Sequence, residues 1–230
     1  MSTPAKVSHK PPTPKRLITI AEKADTSKSR IWKLNEAVIL SGAERVFARA
    51  GFEGATMAQI AEEAGVPKPN LHYYFGNKRD LYRAVLNRVL YDWLDPIDAI
   101  AVDAEPRVAL ETYIRRKMAL SFERPDASRV FANELLHGAP VVGELLRSGL
   151  RDIVLKKSQV IDAWIAAGKI APVDSTHLFF TLWASTQTYA DFDVQIRAVM
   201  GPETSPASAQ KRATEHVLNI MLGACGLQRA

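Results

Sequence analysis

The segment 68–74 (KPNLHYY) brings together side chains that can contact nucleic acid. A lysine, an amide, an imidazole and tyrosines are suited to the base edges and phosphates of a DNA major groove. The candidates within the segment are Lys68, Asn70, His72 and Tyr73, and Thr56 and Lys78 stand on either side of it. These side chains can act together only if a helix presents them on an exposed face.

The surrounding sequence predicts that helix. Apolar residues recur at spacings of three and four from about Ser29 until Gly51, which indicates a first helix ended by a glycine cap. Thr56 is a good N-cap for a short helix that Gly65 ends, because glycine accepts the left-handed turn conformation. A second short helix over 68–74 completes a tri-helical helix-turn-helix.

The placement of charge favours a polyanionic partner for this part of the chain. Residues 1–90 hold 15 Lys+Arg and 8 Asp+Glu, a net charge of +7, whereas residues 91–230 hold 15 and 17, a net charge of −2. A basic front on a mildly acidic body indicates nucleic acid. The alternative is a solvated basic tail with no partner. Residues 1–28, rich in proline and lysine, are predicted to form a disordered basic arm.

The remainder of the chain predicts helices alone, so the expected fold class is all-α. A long fourth helix starts after Asn77 and reaches Trp93 before Pro96 breaks it. No alternating apolar run bounded by hairpin turns indicates a strand. The later helices are predicted near 106–123, 127–136, 140–168, 174–199 and 206–224.

Composition and motifs exclude several classes of protein. One cysteine, Cys225, cannot form an intramolecular disulfide or a cysteine-based zinc site. No apolar run reaches the roughly 18 residues that a membrane helix needs, and no signal sequence is present, so we expect a cytoplasmic protein without a membrane partner.

The glycine-rich phosphate loop, the His-Glu-x-x-His motif and the nucleophile elbow are all missing from the sequence, and the five histidines lack ligand spacing. We therefore expect no enzyme, metal or cofactor, the alternative being a helical hydrolase built from distant residues.

A second candidate site lies on the predicted helix near 174–199. Phe179, Trp183, Gln187 and Ala190 share one face of that helix. A buried amide needs a partner, and its donor and acceptor edges complement a planar cyclic amide or imide on which a tryptophan can stack. The alternative is that Gln187 bonds a helix across a dimer interface.

Three stretches of the sequence resemble the TetR family of repressors: residues 47–56 (FARAGFEGAT), 60–66 (IAEEAGV) and 71–81 (LHYYFGNKRDL). The resemblance implies an all-α homodimer whose N-terminal domains bind a palindromic operator in double-stranded DNA, and whose C-terminal domain holds an effector pocket and the dimer interface. It implies phosphate contacts for Thr56, Tyr73 and Lys78 and base contacts for Lys68, Asn70 and His72. The expected domains are 29–78 for DNA binding and 79–230 for effector binding and dimerisation.

Two prolines depart from the usual pattern of the family. Pro67 and Pro69 stiffen the entry to the second short helix, which leaves open which bases are contacted. Lys78 has an alternative role as a solvated lysine in the first turn of its helix. The family pocket lies close to the DNA-binding domain, so Trp93, Lys117 and Glu134 are further pocket candidates. The alternative for Lys117 and Glu134 is a surface ion pair.

A closer resemblance, from about residue 36 to 200, is to the pyrimidine-utilisation (Rut) repressor branch of the family. The segments that carry it are 125–140 (PDASRVFANELLHGAP), 168–172 (GKIAP) and 183–192 (WASTQTYADF). This branch implies uracil or thymine as the effector and genes of pyrimidine breakdown as targets. The alternatives are a different small molecule, or a DNA-binding protein that responds to no ligand.

The dimer interface is expected on a second face of the same helix. Ala184, Ser185 and Thr188 are small and would let a partner helix approach. The last helix would complete a four-helix interface across a two-fold axis. Intramolecular packing is the alternative for its apolar residues, which are Val217, Leu218, Met221 and Leu222.

Overall fold

In the computed structural model of the chain, residues 20–201 and 205–227 are described, with side chains described from Trp32 onward. The chain divides into two compact units, Met1–Ala37 and Val38–Ala230. The described part of the first unit is helical from Ile20, so helix α1 begins before the predicted start near Ser29. The predicted disordered arm falls mostly on residues 1–19, which lie outside the described residues.

The expected all-α class is confirmed, and the described residues contain no strand. A 3-10 turn, Asp95–Ala99, follows α4 where Pro96 lacks the N–H that a continued helix would use. The helices are α1 Ile20–Gly54, α2 Met57–Ala64, α3 Lys68–Phe75, α4 Lys78–Leu94, α5 Pro106–Glu123, α6 Pro125–Leu136, α7 Gly143–Leu145, α8 Arg151–Ala166, α9 Ser175–Asp191, α10 Asp193–Met200 and α11 Pro206–Ala224.

Two of the predicted helices are interrupted. The predicted helix over 140–168 is α7 and α8 with a π-helical turn, Leu146–Leu150, between them. The predicted helix over 174–199 breaks at Phe192, whose backbone (φ −116°, ψ 30°) ends α9 and begins α10. The helices over 106–123 and 206–224 have the predicted bounds.

The helix-turn-helix is closed by the caps that the sequence predicts. Thr56 and Gln59 form a reciprocal capping box at the start of α2, and Gly65 ends α2 with φ 65°. Gly51 adopts φ 67°, which kinks the end of α1. The sequence did not reveal the role of Gly42: a Cβ built there would lie 2.9 Å from Cβ of Ala64, so only glycine lets α1 and α2 approach this closely.

Two apolar clusters lie within Val38–Ala230. The first cluster contains residues of α1, α2, α3, α4 and α6, among them Phe47, Leu71 and Trp93. The other joins α5, α8, α9 and α11 and includes Tyr113 and Trp164. Helix α4 thus packs within the first cluster, while α5 and α9 pack within the second. None of the helices in the described part of the chain combines the length and apolarity needed to span a bilayer.

Candidate DNA-contacting helix and effector cavity

Helix α3 presents most of its predicted DNA contacts outward. Lys68, Asn70 and Tyr73 are exposed, and the Tyr73 side chain reaches 74% exposure. Leu71 is buried beneath them and anchors α3 to α1, α2 and α4. The Tyr73 ring packs edge to face against Tyr74, with ring centres 5.7 Å apart, and the exposed remainder of the side chain fits a contact with a partner.

His72 is exposed but already engaged at the end of its own helix. Its Nδ1 lies 2.8 Å from the backbone oxygen of Gly76, the residue that caps α3. With the proton on Nδ1 the ring donates to that oxygen and closes the helix end. This contact orients the imidazole towards the C-terminal end of α3.

Lys78 is placed differently from the expected phosphate contact. Its Nζ donates to the backbone oxygens of Phe52, Glu53 and Ala55 at 2.7, 3.3 and 3.0 Å, and it lies 4.5 Å from the centre of the Phe52 ring. An ammonium group has three N–H donors, and three carbonyls occupy them. The geometry therefore favours a structural role in capping the end of α1 over the predicted phosphate contact.

The α6–α9 region holds a cavity of about 600 Å³ that reaches the end of α1. Trp93, Phe131, Gln187 and Asp191 are among its lining residues. Gln187 makes no hydrogen bond through its side chain within the described residues, so both edges of its amide are available. Asp191 was not among the predicted site residues, although its position one turn after Gln187 places it on the same face of α9.

Lys117 of α5 is 2% exposed and is not among the residues that line this cavity, but it contacts the lining residue Trp93. Its Nζ is 4.1 Å from the centre of the Trp93 ring and has no hydrogen-bond partner in the described part of the chain. Burial lowers the pKa of Lys117 to about 7, while attraction to Asp191 acts in the opposite direction. Within the described residues, every side-chain nitrogen or oxygen that is completely shielded from solvent has a hydrogen-bond partner. Nζ of Lys117 has none, so a small part of it remains accessible to solvent. Lys117 is thus a buried lysine whose charge is easily lost, rather than the surface ion-pair member that the sequence also allowed.

The carboxylate of Asp191 is the charged group that attracts the Lys117 ammonium. Ser128 of α6 donates a hydrogen bond to it over 2.6 Å. Burial raises the pKa of Asp191, and the Ser128 hydrogen bond, Arg129 and Lys117 act against that rise. The site therefore combines a buried lysine, a carboxylate held by a serine, a free amide and an indole.

The other three predicted pocket residues lie elsewhere. Glu134 accepts hydrogen bonds from the backbone nitrogens of Val141 and Val142 at 2.6 and 3.1 Å, so it is a buried anchor for the loop after α6 rather than a surface charge. Trp183 donates through Nε1 to the Tyr113 hydroxyl over 2.8 Å. Phe179 is buried in the second apolar cluster. None of these three lines the cavity.

The apolar residues predicted for a dimer face on α11 are buried within the protomer. Val217, Leu218, Met221 and Leu222 all belong to the second apolar cluster, which is the intramolecular alternative. On helices α9 and α11, the large apolar side chains that are exposed are Phe180 of α9, at 49%, and Ile220 of α11, at 53%.

The described residues contain no group of three or more acidic, histidine or cysteine side chains that could hold a metal ion.

Two protein-family models match adjoining parts of the chain. Residues 39–85 match the tetR family of bacterial regulatory proteins, and residues 86–228 match the C-terminal region of YcdC-like proteins. The HTH-type transcriptional regulator RutR of Escherichia coli K12 is 42% identical over 202 residues, which cover 88% of this chain and 95% of that protein.

Solved structures show the same fold. AibR, solved in complex with isovaleryl coenzyme A and operator DNA, aligns with a TM-score of 0.61 at 18% identity, over 81% of this chain and 97% of that one. The TetR family regulator PfmR of Thermus thermophilus aligns with a TM-score of 0.61 at 17% identity, over 84% and 96%. Regulators of this kind bind operator DNA and small-molecule effectors and are dimeric.

Proposed function

The chain belongs to the TetR family of bacterial regulatory proteins, and we propose that this DNA-binding transcriptional regulator is a repressor that a flat cyclic amide or imide such as uracil or thymine releases from its operator. Its relatives are transcriptional regulators rather than enzymes. The 42% identity to RutR, whose name matches the branch that the sequence resembles, supports pyrimidine breakdown as the regulated process.

The effector proposal is carried by one observation: the buried Lys117 ammonium lies over Trp93 without a hydrogen-bond acceptor. A buried ammonium group without a hydrogen-bond acceptor is costly, so a ligand that supplies a carbonyl oxygen gains a strong charge-assisted hydrogen bond. The ring of uracil or thymine alternates carbonyl acceptors with N–H donors. Asp191 can accept from such an N–H, and the Gln187 amide can pair with an adjacent donor and acceptor.

The flat shape of the proposed effector suits the aromatic walls. Trp93 packs edge to face against Phe131, with ring centres 5.3 Å apart, and both line the cavity. Indole faces favour planar, electron-poor rings. Trp183 lies one turn before Gln187 on α9, and its stacking on the effector stays a prediction.

The DNA proposal assigns roles on the outward face of α3. Lys68 and Asn70 would meet base edges in the major groove, while Tyr73 would donate to a phosphate. Thr56 would have to release Gln59 to do the same, because its N–H and its hydroxyl both donate to Oε1 of Gln59 over 3.0 Å. A dimer would place two such helices in successive major grooves, roughly 34–36 Å apart along the duplex. We place the dimer contact on the faces of α9 and α11 that expose Phe180 and Ile220.

Effector and operator would act on each other through a shift between conformations. The effector must bind more tightly to the arrangement of the two heads that does not fit successive grooves, since only differential affinity moves such an equilibrium. Helix α4 carries Trp93 at one end and begins beside α3 at the other, so it connects the cavity with the DNA-contacting helix.

Thermal unfolding with and without uracil and thymine tests this proposal. A ligand at 100 times its dissociation constant stabilises the folded state by about 2.7 kcal/mol, a shift on the order of several degrees for a chain of this length. 1,3-Dimethyluracil, which keeps the ring and both carbonyls but lacks both N–H donors, is the matched control and should give no shift. Equal stabilisation by the dimethyl compound would rule out N–H recognition, and no shift with any pyrimidine would rule out the effector.

A further inference from the structure

Arg124 is the single residue between α5 and α6, and it joins three elements of the fold. Its guanidinium donates to Glu44 of α1 over 2.5 Å and to Asp92 of α4 through a second nitrogen. Arg88 of α4 lies 3.9 Å from both acidic groups. Two acidic and two basic side chains therefore form one balanced cluster, which we call the Arg124 cluster.

The Arg124 cluster reaches into the DNA-binding head. Glu44 belongs to α1, which packs on α2 and α3, and it is 5% exposed. A carboxylate buried to this degree needs its cationic partner, because removing one member of a buried pair leaves an uncompensated charge. Glu44 thus fixes α1 to the junction between α5 and α6 by a directional contact as well as by apolar packing.

The same elements carry the residues of the effector cavity. Asp92 of the cluster is next in sequence to Trp93 of the cavity, and they point to different partners from the same turn of α4. Helix α5 brings Lys117 towards the junction, and α6 leaves it carrying Ser128, which holds Asp191. Trp93 thus adjoins Asp92 on one turn of α4, and two turns of α5 separate Lys117 from Arg124.

We propose that Arg124 is a positioning residue of the regulator: its bonds to Glu44 and Asp92 hold the DNA-binding head in one orientation on the effector domain, and effector binding beside Trp93 breaks them. The second half of this statement rests on the proposed effector site, whereas the first half stands without it. Directional hydrogen bonds suit such a role, since a shift of the order of 1 Å at the junction removes them while the apolar packing survives.

The spacing between heads in the effector-free dimer tests the first half. A spin label on a cysteine in place of the exposed Arg79, in a Cys225→Ser background, reports the distance between the two heads. We expect Arg124→Gln and Glu44→Gln each to broaden the distance distribution, and the double variant to broaden it no further than either one, because both remove the same contact. Arg147→Gln, which breaks an exposed pair with Glu144, is the matched control and should change nothing.

The distribution of the Arg124→Gln variant decides the outcome. An unchanged distribution overturns the proposal, and so does additive broadening in the double variant. Since loss of the cluster could also loosen the whole fold, the melting temperature of the variant is compared with its head spacing. A broadened distribution that persists well below the onset of unfolding supports positioning, and one that appears only as the protein melts contradicts it.

The coupling to effector is measured separately on the same variants. Calorimetric titration of uracil into the DNA-free protein reports effector binding, and the ratio of operator dissociation constants with and without uracil reports coupling. We expect Arg124→Gln to bind uracil as the parent does. The logarithm of the ratio of its operator dissociation constants, with and without uracil, should be at most half that of the parent. An undiminished ratio overturns the second half of the proposal, whereas absence of uracil binding in the parent counts against the effector site and leaves the head-spacing result to stand by itself.

Discussion

The Lys117 ammonium lies 4.1 Å from the centre of the Trp93 ring and binds no acceptor within the described residues. The ring face partly replaces the water that the cation loses on burial, but it does not supply a hydrogen bond. Burial consequently lowers the pKa of Lys117 from 10.5 to about 7. A cation maintained at this expense in stability is typical of a group kept for binding rather than for folding.

Replacing Lys117 by methionine should stabilise the effector-free protein, and the gain should depend on pH. The folded pKa lies below the unfolded one, so the unfolded state binds more protons between pH 7 and 10.5. The stability of the parent protein therefore rises with pH in this window, by up to about 1.4 kcal/mol per pH unit. The penalty is fully present below about pH 7, so the advantage of Lys117→Met is largest there and shrinks towards pH 10.

Urea unfolding at pH 6.5, 8 and 9.5 measures this difference. Lys211→Met, at an exposed position on α11, is the matched control, for which we expect the same difference at every pH. A Lys117→Met advantage that does not change with pH would show that packing, and not the buried charge, determines it.

Gln187→Ala should abolish the response to uracil while leaving operator binding unchanged. The amide lines the cavity and contributes no hydrogen bond to the described fold, so its removal does not disturb the helices that hold the heads. Fluorescence anisotropy of labelled operator with and without uracil measures both quantities. Sedimentation of the same variant tests the alternative role: dissociation of the dimer would place Gln187 in the interface.

Lys78→Met should destabilise the head. The variant loses three hydrogen bonds to backbone oxygens at the end of α1, of which two are partly buried and one is exposed. A fully buried carbonyl left without a donor costs about 1–3 kcal/mol, so we expect a loss towards the lower end of that range. Thermal unfolding measures this loss, which we expect to exceed that of Lys68→Met, an exposed lysine of α3.

The salt dependence of operator binding separates the two lysines. Removing a phosphate contact reduces the slope of log K against log salt by about one unit. We expect an unchanged slope for Lys78→Met, because three carbonyls hold its ammonium group, and for Lys68→Met a loss of affinity that depends on the contacted base, as its assigned base contact requires. A slope reduced by about one unit in Lys78→Met would restore the phosphate contact that the sequence predicted.

The sequence predicts elements that local chemistry determines. The Thr56 cap, the Gly65 turn and the start of α5 at Pro106 all follow from side-chain preferences of a few neighbouring residues. The break at Phe192 between α9 and α10 has no proline or glycine to signal it, and so the predicted helix ran through it.

Helical spacing predicted Gln187 as a residue of the site, whereas Trp93 and Lys117 were expected from the resemblance to the family. Trp93 and Gln187 line one cavity, and Lys117 contacts Trp93, although these three come from three different helices. Asp191 was missed because a carboxylate within the predicted helix over 174–199 is typical of a solvent-exposed face, and only the folded α6 places Ser128 against it. Glu134, also predicted for the pocket, binds backbone nitrogens of a loop, and no side-chain pattern reveals such partners.

Asn70→Ala should relax base preference at one position of the operator half-site. Asn70 is exposed on α3, on the side away from Leu71, and an amide can form two hydrogen bonds with an adenine edge. Loss of such a pair removes about 1–3 kcal/mol of discrimination at the contacted base and leaves other positions unaffected. Selection of randomised half-sites by the parent and the variant measures this position by position, and Tyr73→Phe is the control, since a lost phosphate contact weakens all sequences alike. Uniform weakening by Asn70→Ala would instead place the amide on the DNA backbone, and the reading of bases would then fall to Lys68.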